Sequence, residues 1–192
     1  MGAAGKRIRP GIELPGPDMN PKTLDCYLVS KSPAGDVHTD VIQRPLSDLP
    51  EGDVLIRVEY SSLNYKDGLA ATGHPGVVRK FPHVPGIDAA GSVAESRSAD
   101  VSVGGRVLVT GYELGSGQWG GWAEYVRVPA EWVVLLPEGL SLKEAMIFGT
   151  AGFTAARCVM ALEHHSIFPD SGDVVVTGAS GGIGSVWSRR GI

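Results

Sequence analysis

The chain has 192 residues, enough for one large domain or for one domain and part of a second. Its 27 glycines and 13 prolines favour short strands and frequent turns over long helices. A formal net charge of -4 with no block of like charges leaves no electrostatic footprint for nucleic acid or a membrane surface, so the expected partner is a small soluble molecule.

Met1 to Lys22 is rich in glycine and proline, shows no apolar period and reads as a mobile leader. It lacks the apolar core of a signal peptide, and Pro10, Pro15 and Pro17 argue against an organelle-targeting helix despite Lys6, Arg7 and Arg9. Leu24 to Ser30, Val37 to Gln43, Asp53 to Tyr60, Ile87 to Glu95, Arg106 to Gly111 and Trp122 to Val128 read as strands, each bounded by Gly, Pro, Asp or Ser. Ser141 followed by Glu144 is a capping box, in which hydroxyl and carboxylate each satisfy an orphan amide, so a helix is expected from there toward Phe148. Gly149 to Gly152 interrupts it, and the apolar-periodic segment Phe153 to His164 reads as a second helix. No apolar run is expected to reach the roughly 18 residues that span a bilayer, and the cytosol is the expected location. Cys26 and Cys158 sit inside apolar runs and read as buried free thiols.

Asp173 to Thr177 reads as a buried strand that feeds directly into Gly178, Gly181, Gly182 and Gly184. A strand entering a glycine-rich turn and then a helix is the setting in which such a pattern holds a dinucleotide. Glycines let the backbone approach a diphosphate, and the amides of the following helix carry partial positive charge. Thr177, Ser180, Gly181, Gly182 and Ile183 are therefore the expected cofactor contacts. The choice between NAD and NADP is read at the end of the next strand, which lies beyond Ile192. The turn also resembles the opening of short-chain dehydrogenases, but Tyr27 and Lys31, the pair with the spacing of that family's catalytic tyrosine and lysine, fall in a strand before the turn.

The segment Ser61 to Leu69 is dense in hydrogen-bonding groups. Together with Phe81 to Gly91, Trp119 to Glu124, Gly149 to Glu163 and Val174 to Gly184, it resembles the medium-chain dehydrogenase/reductase superfamily, and within it the zinc-free quinone oxidoreductase group typified by bacterial acrylyl-CoA reductases. That resemblance implies an α/β chain: a GroES-like β-rich catalytic domain over 23–145, then the incomplete start of a Rossmann doubly wound domain over 146–192. It also implies NADPH as cofactor and reduction of an activated C=C bond, with acrylyl-CoA or another short enoyl thioester as substrate, or reduction of a quinone. By the same resemblance Thr150 borders the nicotinamide.

Zinc-dependent relatives place a cysteine and a histidine where this chain has Asn64 and Ile87, and two cysteines cannot build a four-cysteine site, so no metal is expected. His74 and His83 read as loop histidines. Reduction of an enoyl thioester puts negative charge on the carbonyl oxygen and calls for a proton at the α-carbon, so donors must face both. Tyr65 is the expected catalytic donor and cofactor contact, because a phenol can donate at neutral pH. Asn64 either orients Tyr65 or the nicotinamide ribose, or caps a helix. Lys66 and Asp67 read as a surface ion pair, and Arg79 with Lys80 as contacts for the phosphates of coenzyme A or as solvated loop cations.

After Gly184 the chain reads Ser-Val-Trp-Ser-Arg-Arg-Gly-Ile and departs from the family pattern. A lone parallel-type strand has no neighbours to satisfy its backbone, so the expectation is a truncated reductase that holds NADPH weakly and is inactive alone. The alternative is a noncatalytic module whose exposed apolar strand pairs with itself, as a homo-oligomer, or with a full-length subunit.

Overall fold

The computed structural model describes residues 22–188. The expected leader up to Pro21 and the residues after Ser188 lie outside that part. β1 (Thr23–Lys31) and β2 (Val37–Pro45) form an antiparallel hairpin in unbroken register from Thr23↔Pro45 to Lys31↔Val37. A five-stranded antiparallel sheet follows, built from β3 (Val54–Tyr60), β4 (Asp88–Ser96), β5 (Arg106–Thr110), β6 (Tyr125–Val128) and β7 (Val134–Leu135), in the order β6-β3-β4-β5-β7.

Strand alternation gives the sheet two apolar faces. Val54 and Ile56 of β3 join Ala89, Val107, Val109, Val126 and Val128 in one core, while Leu55 between them points into a second core with Leu24, Cys26, Leu28 and Val84. The second core is what holds the hairpin to the sheet. Backbone bonds Val29 N–H to His83 O (2.7 Å), His83 N–H to Val29 O (2.8 Å) and Tyr27 N–H to Trp122 O (2.9 Å) complete the attachment. Each large side chain buried there contributes about 1.5–3 kcal/mol relative to exposure.

Two short helices matter less than their neighbours: α1 (Tyr65–Ala71) leads out of the loop after β3, and α3 (Gly182–Ser188) follows the glycine bend. Between them lies α2 (Leu142–His164), started by the expected box: Ser141 Oγ accepts from the Glu144 amide (3.2 Å), and the Glu144 carboxylate accepts from the Ser141 amide (2.9 Å). Leu142, Ala145 and Met146 bury against Ala90 of β4, which seats the first half of the helix on the sheet. At Gly149 the backbone leaves helical geometry (φ 44°, ψ -147°) and then resumes.

The expected interruption falls at Gly149, where two helices meet across a kink inside the 23-residue span of α2, a span that by length and composition alone is apolar enough to cross a bilayer. Three expectations need correction. Asp173 to Thr177 is not a strand, because no pairing partner exists for it among the described residues, and Val175 is 86% exposed. β6 begins at Tyr125, since Trp122 to Glu124 spend their backbone groups partly on β1. Cys158 is exposed on α2, whereas Cys26 is buried as expected.

Candidate functional site

Asn64 is the N-cap of α1, and Asp67 at the third helical position reaches back to accept from the Asn64 amide at 2.8 Å. The other Asp67 oxygen accepts from the amides of Gly86 (3.1 Å) and Ile87 (2.9 Å). Asp67 is therefore fully buried and fixes the start of α1 against the segment entering β4. It is not half of a surface ion pair with Lys66. Three amide donors satisfy a group that would otherwise be costly to bury.

Asp88, the first residue of β4, is a second fully buried carboxylate, and four donors converge on it. Thr150 gives its hydroxyl to one oxygen at 2.6 Å and its amide to the other at 3.0 Å. Asn64 donates from its side-chain nitrogen at 2.8 Å, and the Ser62 hydroxyl also donates. None of the ion pairs among the described residues includes Asp88. The kink at Gly149 makes the approach feasible: a Cβ there would lie 2.6 Å from an Asp88 oxygen and 2.8 Å from the Ser62 hydroxyl.

Above this floor lies a cleft of about 1030 Å³ between α1, the second half of α2 and the glycine bend. Asn64, Tyr65, Thr150, Thr177, Gly181, Gly182 and Ile183 all line it. Ser180 belongs to the same bend but is not part of the wall, and Arg79 is an exposed loop residue outside it. Tyr65 projects at the mouth, 86% exposed, so it is not packed within the protein. Ile87, Ala161, Leu162, Val174 and Val176 give the cleft apolar walls. On the far side of Asn64 and Ala151 a second cleft of about 660 Å³ is lined by Ser62, Met146, Phe148 and Ser185.

The bend itself is shaped by absent side chains. The amide of Gly181 closes on Gly178 O at 2.9 Å, and a Cβ on Gly184 would come within 2.3 Å of that same oxygen, so α3 can pack onto the bend only without one. Gly181 and Gly182 leave the wall open toward the cleft.

His83 is buried, with its Nε2 bonded to Gly115 O at 3.0 Å; burial lowers its pKa below the ordinary 6.5, partly offset by that bond. It is a structural strut between the hairpin and the Gly115 loop, while His74 is an exposed loop residue. Among the described residues no three His, Cys, Asp or Glu side chains gather to hold a metal ion. Sequence reasoning gave no role to Ser62 or Asp88 in the site. The available signal was an acidic residue inside the apolar run from Ile87 to Ala90, where a charge demands partners.

Residues 50–138 match the alcohol dehydrogenase GroES-like domain. The chain is 51% identical over 153 residues to the acrylyl-CoA reductase AcuI of Ruegeria pomeroyi, covering 80% of this chain and 46% of the relative. It superposes on the Salmonella enterica yhdH oxidoreductase in complex with NADP with a TM-score of 0.82 at 49% identity, covering 85% of this chain and 50% of that one. The chain carries an alcohol dehydrogenase GroES-like domain, and its structural neighbours are members of the medium-chain dehydrogenase/reductase superfamily. A further superfamily structure, Bacillus subtilis yhfP with NAD bound, superposes with a TM-score of 0.82 at 47% identity over 86% of this chain and 50% of that one. The chain spans about half the length of the curated superfamily members it matches.

Proposed function

We propose that this chain supplies the substrate-side domain and the first cofactor-contacting bend of an NADPH-dependent reductase of an activated C=C bond, with acrylyl-CoA or a related short 2-enoyl thioester as substrate. The observation that carries this reading is the shared cleft: Tyr65 and Asn64 at the start of α1 face the same cavity as Gly181 to Ile183. The bend fits a diphosphate because Gly181 and Gly182 put main chain without side chains on the cleft wall, where a phosphate can approach closely. A reduced nicotinamide bound here supplies hydride.

The chain's own residues have four tasks in this reading. Ile87, Leu162 and Val174 exclude water from the reacting groups. Tyr65 carries a phenolic proton at the mouth and donates to the substrate carbonyl as charge develops on it. Asn64 and Thr150, anchored on Asp88, orient the ligand from the floor. With an amide at position 64 and an alkyl group at 87, neither position offers a good metal ligand, so polarisation falls to hydrogen-bond donors.

NADPH is preferred over NADH because the yhdH relative holds NADP, although yhfP holds NAD. Quinone reduction is the second reading. It is favoured by Arg79, assigned to coenzyme A phosphates, standing outside the cleft, and by the relative named putative quinone oxidoreductase YhfP. The test is a chimera joining residues 1–188 to the remaining half of the Ruegeria relative, assayed by NADPH oxidation with acrylyl-CoA and with benzoquinone. Preference for acrylyl-CoA supports the proposal; turnover of the quinone alone overturns its substrate assignment.

A further inference from the structure

Asp88 accepts hydrogen bonds from three polar side chains near the two clefts: the hydroxyls of Ser62 and Thr150 and a side-chain N–H of Asn64. A hydroxyl has one proton, so a Thr150 that donates to Asp88 has only lone pairs left for a ligand. Asn64 is held by the same carboxylate. Its NH₂ end lies 2.8 Å from Asp88 and 3.3 Å from Asp67, two acceptors that settle which end of the amide is which, and its carbonyl oxygen faces the Asp67 backbone amide in the capping box.

We infer that Asp88 is a positioning residue that sets the polarity of the cleft: it presents the Thr150 hydroxyl to the ligand as a hydrogen-bond acceptor and so selects a ligand group that donates. The inference rests on the reading that a nicotinamide nucleotide occupies the cleft. Within that ligand the donor is either the carboxamide NH₂ or a ribose hydroxyl. The floor then grips the cofactor through its donors, and charge on a substrate oxygen must be met elsewhere, by Tyr65. A carboxylate is the residue for this task because it accepts from all four donors and gives none back. An asparagine at position 88 would keep its oxygen toward the two N–H donors and turn its NH₂ to the Thr150 hydroxyl, reversing that bond.

The test is an NMR titration of the whole chain with NADPH to millimolar concentration, followed at the backbone signals of Thr150 and Asn64. It is repeated for Thr150→Val, Thr150→Ser and Asp88→Asn, with the preserved dispersion of the sheet amides as the check on folding. Thr150→Val is expected to bind at least about tenfold more weakly and Thr150→Ser to within about threefold of the parent, as the loss and retention of one ligand hydrogen bond require. A folded Asp88→Asn chain is expected to weaken binding to the same degree as Thr150→Val. The reduced analogue with a carboxylate in place of the carboxamide identifies the donor. If it is insensitive to Thr150→Val the carboxamide donates, and if it weakens in parallel with NADPH the ribose does. Undiminished binding by Thr150→Val overturns the role of Asp88 while leaving the cleft reading intact. A parent chain whose signals never respond to NADPH overturns the cleft reading and the inference with it.

Discussion

Thr150, just past the kink in α2, gives its hydroxyl proton to Asp88 at the head of β4, 2.6 Å away and 62 residues earlier in the chain. That bond joins the wall of the cleft to the β domain. The kink, the buried carboxylate and the N-cap of α1 form one unit, because Asn64 donates to the same Asp88 oxygen as the Thr150 amide. Disturbing any one of them is felt by the others.

Gly149→Ala is expected to destabilise the chain by about 2–4 kcal/mol, combining an unfavourable positive φ with a Cβ driven onto buried oxygens. The native φ is 44°, and the nearest Asp88 oxygen would be 2.6 Å from that Cβ. Urea unfolding of the two proteins measures the difference. A loss of less than half a kilocalorie would show that the kink can relax.

Asp67→Ala should cost about 2–4 kcal/mol, since it strands the amides of Asn64, Gly86 and Ile87 in a buried site. The effect is also local. Hydrogen exchange at Gly86 and Ile87 should speed up well before global unfolding, whereas unchanged protection there would show that these amides rely on other partners.

His83 makes stability fall on the acid side of neutrality. Its folded pKa lies below the ordinary 6.5 because burial disfavours the charged ring, so the unfolded chain binds the proton first. The contribution is complete above about pH 6.5 and is lost as pH drops through the depressed folded value, with a slope of at most about 1.4 kcal/mol per pH unit. Urea midpoints between pH 7.5 and 5.5 should fall more steeply for the parent than for His83→Gln. Equal slopes would place the acid sensitivity in other groups.

The two thiols should react at very different rates. Cys158 is exposed and lines the cleft, while Cys26 is buried and its pKa is raised, chiefly by desolvation. An aromatic disulfide reagent should modify one thiol rapidly and the other only on unfolding. Two fast thiols would mean that the hairpin core opens readily.

What the sequence made legible was local chemistry. Ser141 and Glu144 announced the start of α2 because both partners of the cap lie within one turn. β1 to β5 could be read from alternation and flanking turns to within a residue or two. Asp88 was unreadable as the organiser of the site because its partners come from 24, 26 and 62 residues away, a convergence that only the folded sheet and the kinked helix create. Asp173 to Thr177 misled in the opposite direction: three consecutive valines have strand propensity, but pairing depends on neighbours, and the described residues provide none. Tyr65 and the glycine bend were identified separately from their residue types, and the cleft that brings them together belongs to the tertiary structure.

In the proposed function one nicotinamide dinucleotide spans the cleft from the glycine bend to the start of α1. The decisive measurement is a titration of the chain with NADPH that follows the backbone NMR signals of Gly181, Gly182, Tyr65 and Thr150. All four should shift together along a single saturation curve. Shifts confined to the glycines, or the absence of any shift near Tyr65 and Thr150 at saturation, would contradict it.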